Sequence, residues 1–208
     1  MNYLEALSRR YSVKKFNHEI IPQDTLYNIL ESGKLSASSL GLQPYKVLVV
    51  ESEAMKQKLI PAFYNPSQIS TCSHLVVIVS KKTIDESYIH GYFNHISEVR
   101  ETPVEKLDLF RKSINQHITQ KTKDEIFNWA EKQSYIVLAN LMYAAAIENI
   151  DSCPMEGFRQ DLIEEILNIN PETEKVTVTL ALGYRSEEDH FQHMKKVRKP
   201  NEKLFKFI

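Results

Sequence analysis

Apolar residues three and four positions apart at Tyr3, Leu4 and Leu7, and again from Pro22 through Leu26, Ile29 and Leu30, mark two short amphipathic helices. The second closes at Gly33. The period then shortens. Tyr45–Glu51 (YKVLVVE), His74–Ser80 (HLVVIVS) and Lys175–Gly183 (KVTVTLALG) are β-branched runs of strand length, and they predict three central strands. Ser52 and Glu53 open another helix. Asp124–Glu148 predicts the longest helix, and from Tyr135 onward it is apolar nearly all round, which predicts burial on every side. Cys153-Pro154-Met155-Glu156-Gly157-Phe158 reads as a proline turn, followed by a short helix through Leu162, Ile163, Ile166 and Leu167.

The stretch 85–123 breaks this rhythm. It is polar, charged and helix-prone, with Tyr88, Tyr92, Phe93 and Phe110 scattered through it, and reads as a helical excursion from the core. Such an excursion suits either a lid or a solvated hairpin. Strands separated by helices predict an α/β or α+β sandwich in one domain, with no repeats and no low-complexity linker.

Composition narrows the function classes. The 208 residues carry 26 Lys+Arg against 27 Asp+Glu, a formal net charge of −1, and 42% are hydrophobic. That is ordinary globular composition, and the length supports a sizeable core without disulfide or metal staples. Cys72 and Cys153 stand in neither a CxxC nor a metal-ligand spacing, which predicts free thiols in a reducing compartment. Met1–Arg10 lacks the apolar stretch of a signal peptide, and the apolar run Ile136–Ile147 is shorter than the roughly 20 residues that span a bilayer. A cytoplasmic location away from membranes follows as the expectation. The 5 glycines form neither GxGxxG nor GxxxxGK. Any phosphate must therefore be held by cationic side chains and hydroxyls rather than by a glycine-rich loop.

Two basic clusters offer those groups. Arg9-Arg10-Tyr11-Ser12-Val13-Lys14-Lys15-Phe16 places four cations and a serine hydroxyl in eight residues, and Lys195-Lys196-Val197-Arg198-Lys199 lies near the C-terminus. Each alone suits a solvated face. Together they can converge on one phosphate through charge-assisted hydrogen bonds, with Ser12 as an uncharged donor. A net charge near zero and the lack of any recognition-helix, RNP or zinc-finger pattern speak against nucleic acid as the partner. The seven histidines form no HExxH, His74 opens a strand as a core residue, and there is no GxSxG elbow. Neither a metal site nor a hydrolytic nucleophile is expected. In CPMEGF, Gly157 either belongs to a plain turn or lets the backbone approach a flat ligand.

These segments, in this order, resemble the FMN-dependent nitroreductase family: RRYSVKKF, SASSLGLQPY (Ser36 to Tyr45), Asn65-Pro66-Ser67-Gln68, SHLVVIV, the tryptophan-headed helix, PMEGF, TLALGY and KKVRKP. The resemblance covers essentially the whole chain. It implies a single α+β domain over 1–208, a three-layer sandwich with a mostly antiparallel central sheet, assembled as an intertwined homodimer. It further implies that Arg10, Ser12, Lys196 and Arg198 hold the FMN phosphate and ribityl chain, with Tyr11 alongside. Lys14 would lie at the pyrimidine edge of the ring, Asn65 and Gln68 at its polar edge, and the backbone of Met155, Glu156 and Gly157 against its O4 and N5. Ala37, Ser38 and Ser39 would reach the flavin of the other subunit.

The implied activity is transfer of hydride from NAD(P)H and of two electrons onward to nitroaromatics, quinones or related acceptors, in ping-pong fashion. No catalytic side chain is required, because the cofactor supplies the chemistry. The chain departs from the frequent PSSxNxQPW pattern at Gly41 and Tyr45, and carries Tyr11 where histidine or arginine is common. The alternatives are a flavin-fragmenting or dehalogenating member of the superfamily, and a non-catalytic flavin-binding dimer.

Overall fold

Helix α1 (Tyr3–Arg9) starts at Asn2, whose side chain accepts from Leu4 N–H while Glu5 reaches back to the Asn2 N–H. That reciprocal cap satisfies donors the first turn cannot. The computed structural model describes residues 2–208. After α2 (Gln23–Lys34) the chain enters β1 (Tyr45–Val50), α3 (Glu53–Leu59), α4 (Pro66–Thr71) and β2 (His74–Lys81). Then come α5 (Glu86–Val99), α6 (Asp108–Thr119), α7 (Lys123–Ile147), β3 (Asp151–Met155), α8 (Gln160–Ile166), β4 (Glu174–Gly183) and α9 (Asn201–Leu204).

The four strands form one antiparallel sheet in the order β1-β2-β4-β3. The expected sandwich is present as three layers. Leu75, Val77 and Val79 of β2 face a core shared with Leu59, Ile69 and Ile163, on the side of α3, α4 and α8. Val76 and Ile78 face the opposite core with Ile29, Val137 and Leu141 of α2 and α7. Because both faces are covered, β2 reads as a continuous apolar run rather than an alternating one. Between the pairs Ile78–Val178 and Val79–Val176 the register shifts, leaving Thr177 as an extra residue. This bulge puts Val176 and Val178 in opposite cores and brings the Thr177 hydroxyl to Ser80, which also bonds Ser134.

Three expectations need correction. Cys153-Pro154 is not a turn: it lies within β3, pairing Cys153 with Ala181 and Pro154 with Leu180. Proline is admissible because β3 is an edge strand, where a missing N–H leaves no central ladder bond unmade. Only β2 and β4 are central, and β1 forms the other edge. Third, α7 is not buried on every side within the subunit. Tyr135, Ile136 and Tyr143 form an exposed stripe, as do Tyr3, Leu4 and Leu7 of α1, which packs on α7.

The stretch 85–123 folds into α5, a 3-10 turn at Val104–Leu107 and α6, packed around its own core of Ile89, Phe93, Ile96, Ile114 and Ile118. Among the described residues, no helix is long and apolar enough to cross a membrane. His74 is buried, its Nδ1 lies 2.8 Å from Ser73 Oγ, and burial pushes its pKa down.

Candidate functional site

Past α1 the chain runs alongside β3, where Ser12 bridges Ser152 and the Val13 N–H donates to Ser152 O at 3.3 Å. Val13 and Phe16 are buried and anchor this segment. Arg10, Ser12 and Lys14, at alternate positions, border one cavity of about 510 Å3. Asp189 fixes the far end of the segment: its carboxylate accepts from the backbone N–H of Lys14 (2.7 Å), Lys15 (3.4 Å) and Phe191 (3.1 Å). Burial acts to raise the Asp189 pKa, but these donations outweigh it and hold the carboxyl below its ordinary range.

The C-terminal cluster closes the same cavity, bringing Lys196 and Arg198 to Arg10. Lys196 Nζ donates to the carbonyls of Leu7 and Arg10. Burial lowers the pKa of both Arg10 and Lys196, and each is lowered further by repulsion from Arg198, Lys196 also by Arg10. Among the described residues no carboxylate forms an ion pair with any of the three, and Arg10 Nη1 is buried without a partner. A buried donor among like charges favours an anion at this place.

Beside these cations lies a pair that sequence reasoning missed. Arg185 forms a fork with Asp151, Nε to Oδ2 at 2.9 Å and Nη2 to Oδ1 at 2.5 Å, and its guanidinium stacks 4.7 Å from the Tyr11 ring centroid. The hydrogen bonds it donates to Asp151 raise the Arg185 pKa, whereas burial and the nearby Asp189 carboxylate raise that of the Tyr11 hydroxyl. A charged residue two positions past a strand carries no motif, so nothing in the sequence singled it out. The same holds for Asp189 within the acidic run Glu187-Glu188-Asp189.

Lys14 also borders a second cavity of about 260 Å3, lined by Asn65, Gln68, Met155, Glu156 and Gly157. The ring-edge set from the sequence is thus brought together around Lys14. Gln68 is buried at 3% exposure; its Nε2 lies 3.6 Å from Cys153 Sγ, and its Oε1 is unpartnered. Lys14 Nζ is 3.8 Å from the same sulfur, and burial pushes the Cys153 thiol pKa up against the pull of Lys14. A side chain at Gly157 would meet only Tyr64 Cδ2, at 3.4 Å, so internal packing does not require glycine there. Glu156 accepts from the Tyr135 hydroxyl at 2.5 Å. Ala37, Ser38 and Ser39 line neither cavity; they sit after α2, with the Ser39 N–H donating to Gln133 Oε1 at 2.8 Å.

The fit to FMN is good on these observations. There is an anion-seeking end at Arg10, Lys196 and Arg198, an orphaned amide oxygen at Gln68, and open backbone at Gly157. Among the described residues no group of acids, histidines and cysteines is placed to hold a metal ion.

Comparison with known proteins agrees with the geometry. A Staphylococcus haemolyticus protein named "Putative NAD(P)H nitroreductase" is 36% identical over 217 aligned positions, 99% of this chain and 96% of that one. The Bacillus subtilis protein YfkO, of the same name, is 36% identical over 88% of each chain. An Exiguobacterium sibiricum crystal structure in complex with FMN shares the fold at a TM-score of 0.87, with 21% identity and coverage of 100% of this chain and 98% of that one. With the sequence pattern of the Nitroreductase family matched from residue 7 to 184, the chain belongs to that family.

Proposed function

We propose that this protein is an FMN-dependent oxidoreductase that takes hydride from NAD(P)H and passes two electrons to nitroaromatic, quinone or related acceptors. The observation that carries the reading is the trio Arg10, Lys196 and Arg198, mutually repelling around one cavity with a buried guanidinium donor unpaired. When bound, the flavin supplies hydride acceptance and two-electron donation. The chain supplies the rest. The three cations and Ser12 grip the phosphate end, Asp189 and Phe16 hold that segment rigid, and Asn65 and Gln68 orient the polar edge of the ring. Glycine at 157 leaves the backbone of Met155–Gly157 accessible to the ring. The test is direct: the purified protein is expected to be yellow, to release FMN on denaturation, and to bleach anaerobically with NADH or NADPH. Double-reciprocal plots with nitrofurazone or a quinone should be parallel. A colourless protein that fails to take up FMN would overturn the reading, and a yellow protein inert to both donors would be a carrier.

The working unit in this reading is a homodimer in the cytoplasm. Tyr3, Leu4, Leu7, Tyr135, Ile136 and Tyr143 expose apolar surface on adjoining helices, and Phe205, Phe207 and Ile208 do so at the C-terminus. Surface of this kind marks an interface. A second copy would cover it and let Ala37–Ser39 reach the other subunit's cavity. An active, flavin-loaded monomer in sedimentation would refute this.

Lys14, bordering both cavities, is placed to favour the charge that the ring edge gains on reduction. Lys14→Met keeps most of the stem and removes the cation, so it should weaken binding of reduced flavin more than of oxidised flavin. The midpoint potential should then fall, by about 30 mV for each ~1.4 kcal/mol of differential loss. Equal weakening of both states would instead group Lys14 with the phosphate ligands.

A further inference from the structure

The segment between α2 and β1 runs through left-handed backbone at Leu40 (φ 59°), Gly41 (φ 71°) and Gln43 (φ 43°). Two of these are not glycine, so the conformation persists only where neighbours over-determine it. The core side contributes Gln133 to Ser39 N–H, and Asn140 Nδ2 to Ser36 Oγ at 2.8 Å. Gln43 N–H donates to Ser38 Oγ at 3.0 Å and its side chain to Lys34 O at 3.0 Å. The remaining restraints come from the helical excursion. The Tyr92 hydroxyl donates to Leu40 O at 3.2 Å, and the Tyr88 hydroxyl is shared between Leu42 O (2.8 Å) and Gln43 O (2.9 Å). Burial pushes the Tyr88 pKa up to about 12, which keeps that phenol a donor.

Gly41 makes the approach of α5 possible. A Cβ at this position would overlap the Tyr92 hydroxyl oxygen and stand 3.3 Å from Cζ. The glycine is therefore required twice, by its φ and by the phenol that occupies the space a side chain would take. Leu40 and Leu42 pack into the core of the excursion beside Phe93 and Ile89. The segment that follows the Ser38–Ser39 turn is thus tied to the excursion at Leu40, Leu42 and Gln43.

We propose that Gly41 and Tyr92 form a packing lock through which the helical excursion positions the Ser38–Ser39 turn, making Tyr92 a positioning residue for the flavin site. The positioning half of this rests on the flavin-dimer reading above, whereas the lock itself rests on the geometry alone. The two halves are read separately in one set of full-length proteins: wild type, Gly41→Ala, Tyr92→Phe and the double variant. Alanine at φ 71° is strained in either background, so that penalty cancels, and only the clash with the hydroxyl differs between them.

Hydrogen exchange of the peptide spanning residues 36–43 reads the lock. Gly41→Ala is expected to speed exchange at least tenfold more in the wild-type background than in the Tyr92→Phe background, where the strain at φ 71° is what remains. The FMN dissociation constant reads the positioning: Gly41→Ala should raise it about fivefold in the wild-type background and by less than half that factor in the Tyr92→Phe background. Additive effects on exchange would overturn the lock. Coupled exchange with an unchanged FMN constant would overturn the positioning role. Coupled exchange in a wild-type protein that binds no FMN would leave the lock standing and remove both the positioning role and the proposed function. If Gly41→Ala does not fold, Tyr92→Phe and Tyr88→Phe alone must each raise exchange in residues 36–43 without raising it in α1; no rise would overturn the lock.

Discussion

Arg10→Ala and Arg198→Ala are each expected to weaken FMN binding roughly 10- to 100-fold. In the proposed function each substitution removes a charge-assisted contact to the phosphate worth about 1.5–3 kcal/mol. The same change should leave the flavin-free protein at least as stable as the wild type. Arg10 and Arg198 repel one another and Lys196 in a partly buried cluster that no carboxylate neutralises, so deleting one cation relieves the others. Loss of ligand affinity with retained or raised apo stability marks a group kept for binding rather than for folding. The measurements are FMN titration by fluorescence quenching and thermal melts of the flavin-stripped variants. Full flavin occupancy in both variants after extensive dialysis would remove the phosphate from this cavity.

Asp151→Ala is expected to destabilise the fold by about 3 kcal/mol, the low end of the cost of stranding one partner of a buried ion pair. The low end applies because the Arg185 side chain retains 24% of its exposure while Asp151 keeps 6%. Asp151 also accepts the backbone N–H of Arg185 at 2.9 Å and lies 3.9 Å from Arg9, so its loss leaves an amide without its acceptor and two cations without this counter-charge. Urea unfolding should show a lower midpoint at unchanged slope. Because Arg185 supports the Tyr11 ring at the edge of the proposed phosphate cavity, FMN affinity should fall as well. A change under 1 kcal/mol would mean that solvent replaces the carboxylate at no significant cost.

The sheet and its main helices were legible because each segment spoke through its own pattern. β2 is an unbroken apolar run since both its faces are covered, and α7 announces itself through its length and the long apolar stretch from Tyr135 onward. β3 was not legible, because Pro154 outweighs a five-residue strand in any local reading, and only the sheet edge makes the proline harmless. The exposure of α7 was misread for a related reason. Periodicity reports that a face is apolar and does not say whether the same chain covers it.

At the site, the cations could be found because charge clusters stand out against a balanced composition, and the Asn65–Gln68 and Met155–Gly157 segments because their order matched a family pattern. Asp151, Arg185 and Asp189 stayed hidden. Their roles depend on partners 34 to 175 positions away, a relation that no local window contains.

The two borders of the sheet differ in how far they can grow. Along β3 the outer side is taken at Ser152 by the strand-like segment at Ser12 and Val13, and Pro154 has no N–H to offer a newcomer. Along β1, among the described residues, no strand covers the outer side. Endless strand-by-strand stacking, as in a fibril, needs a fresh template after every addition. A subunit with one receptive border can extend its ladder once, and the added chain arrives with its own far border already sealed. On this geometry a strand added at β3 would find one position taken and one donor missing. A proline that obscured the strand in the sequence thus also closes that border of the folded sheet to a further strand.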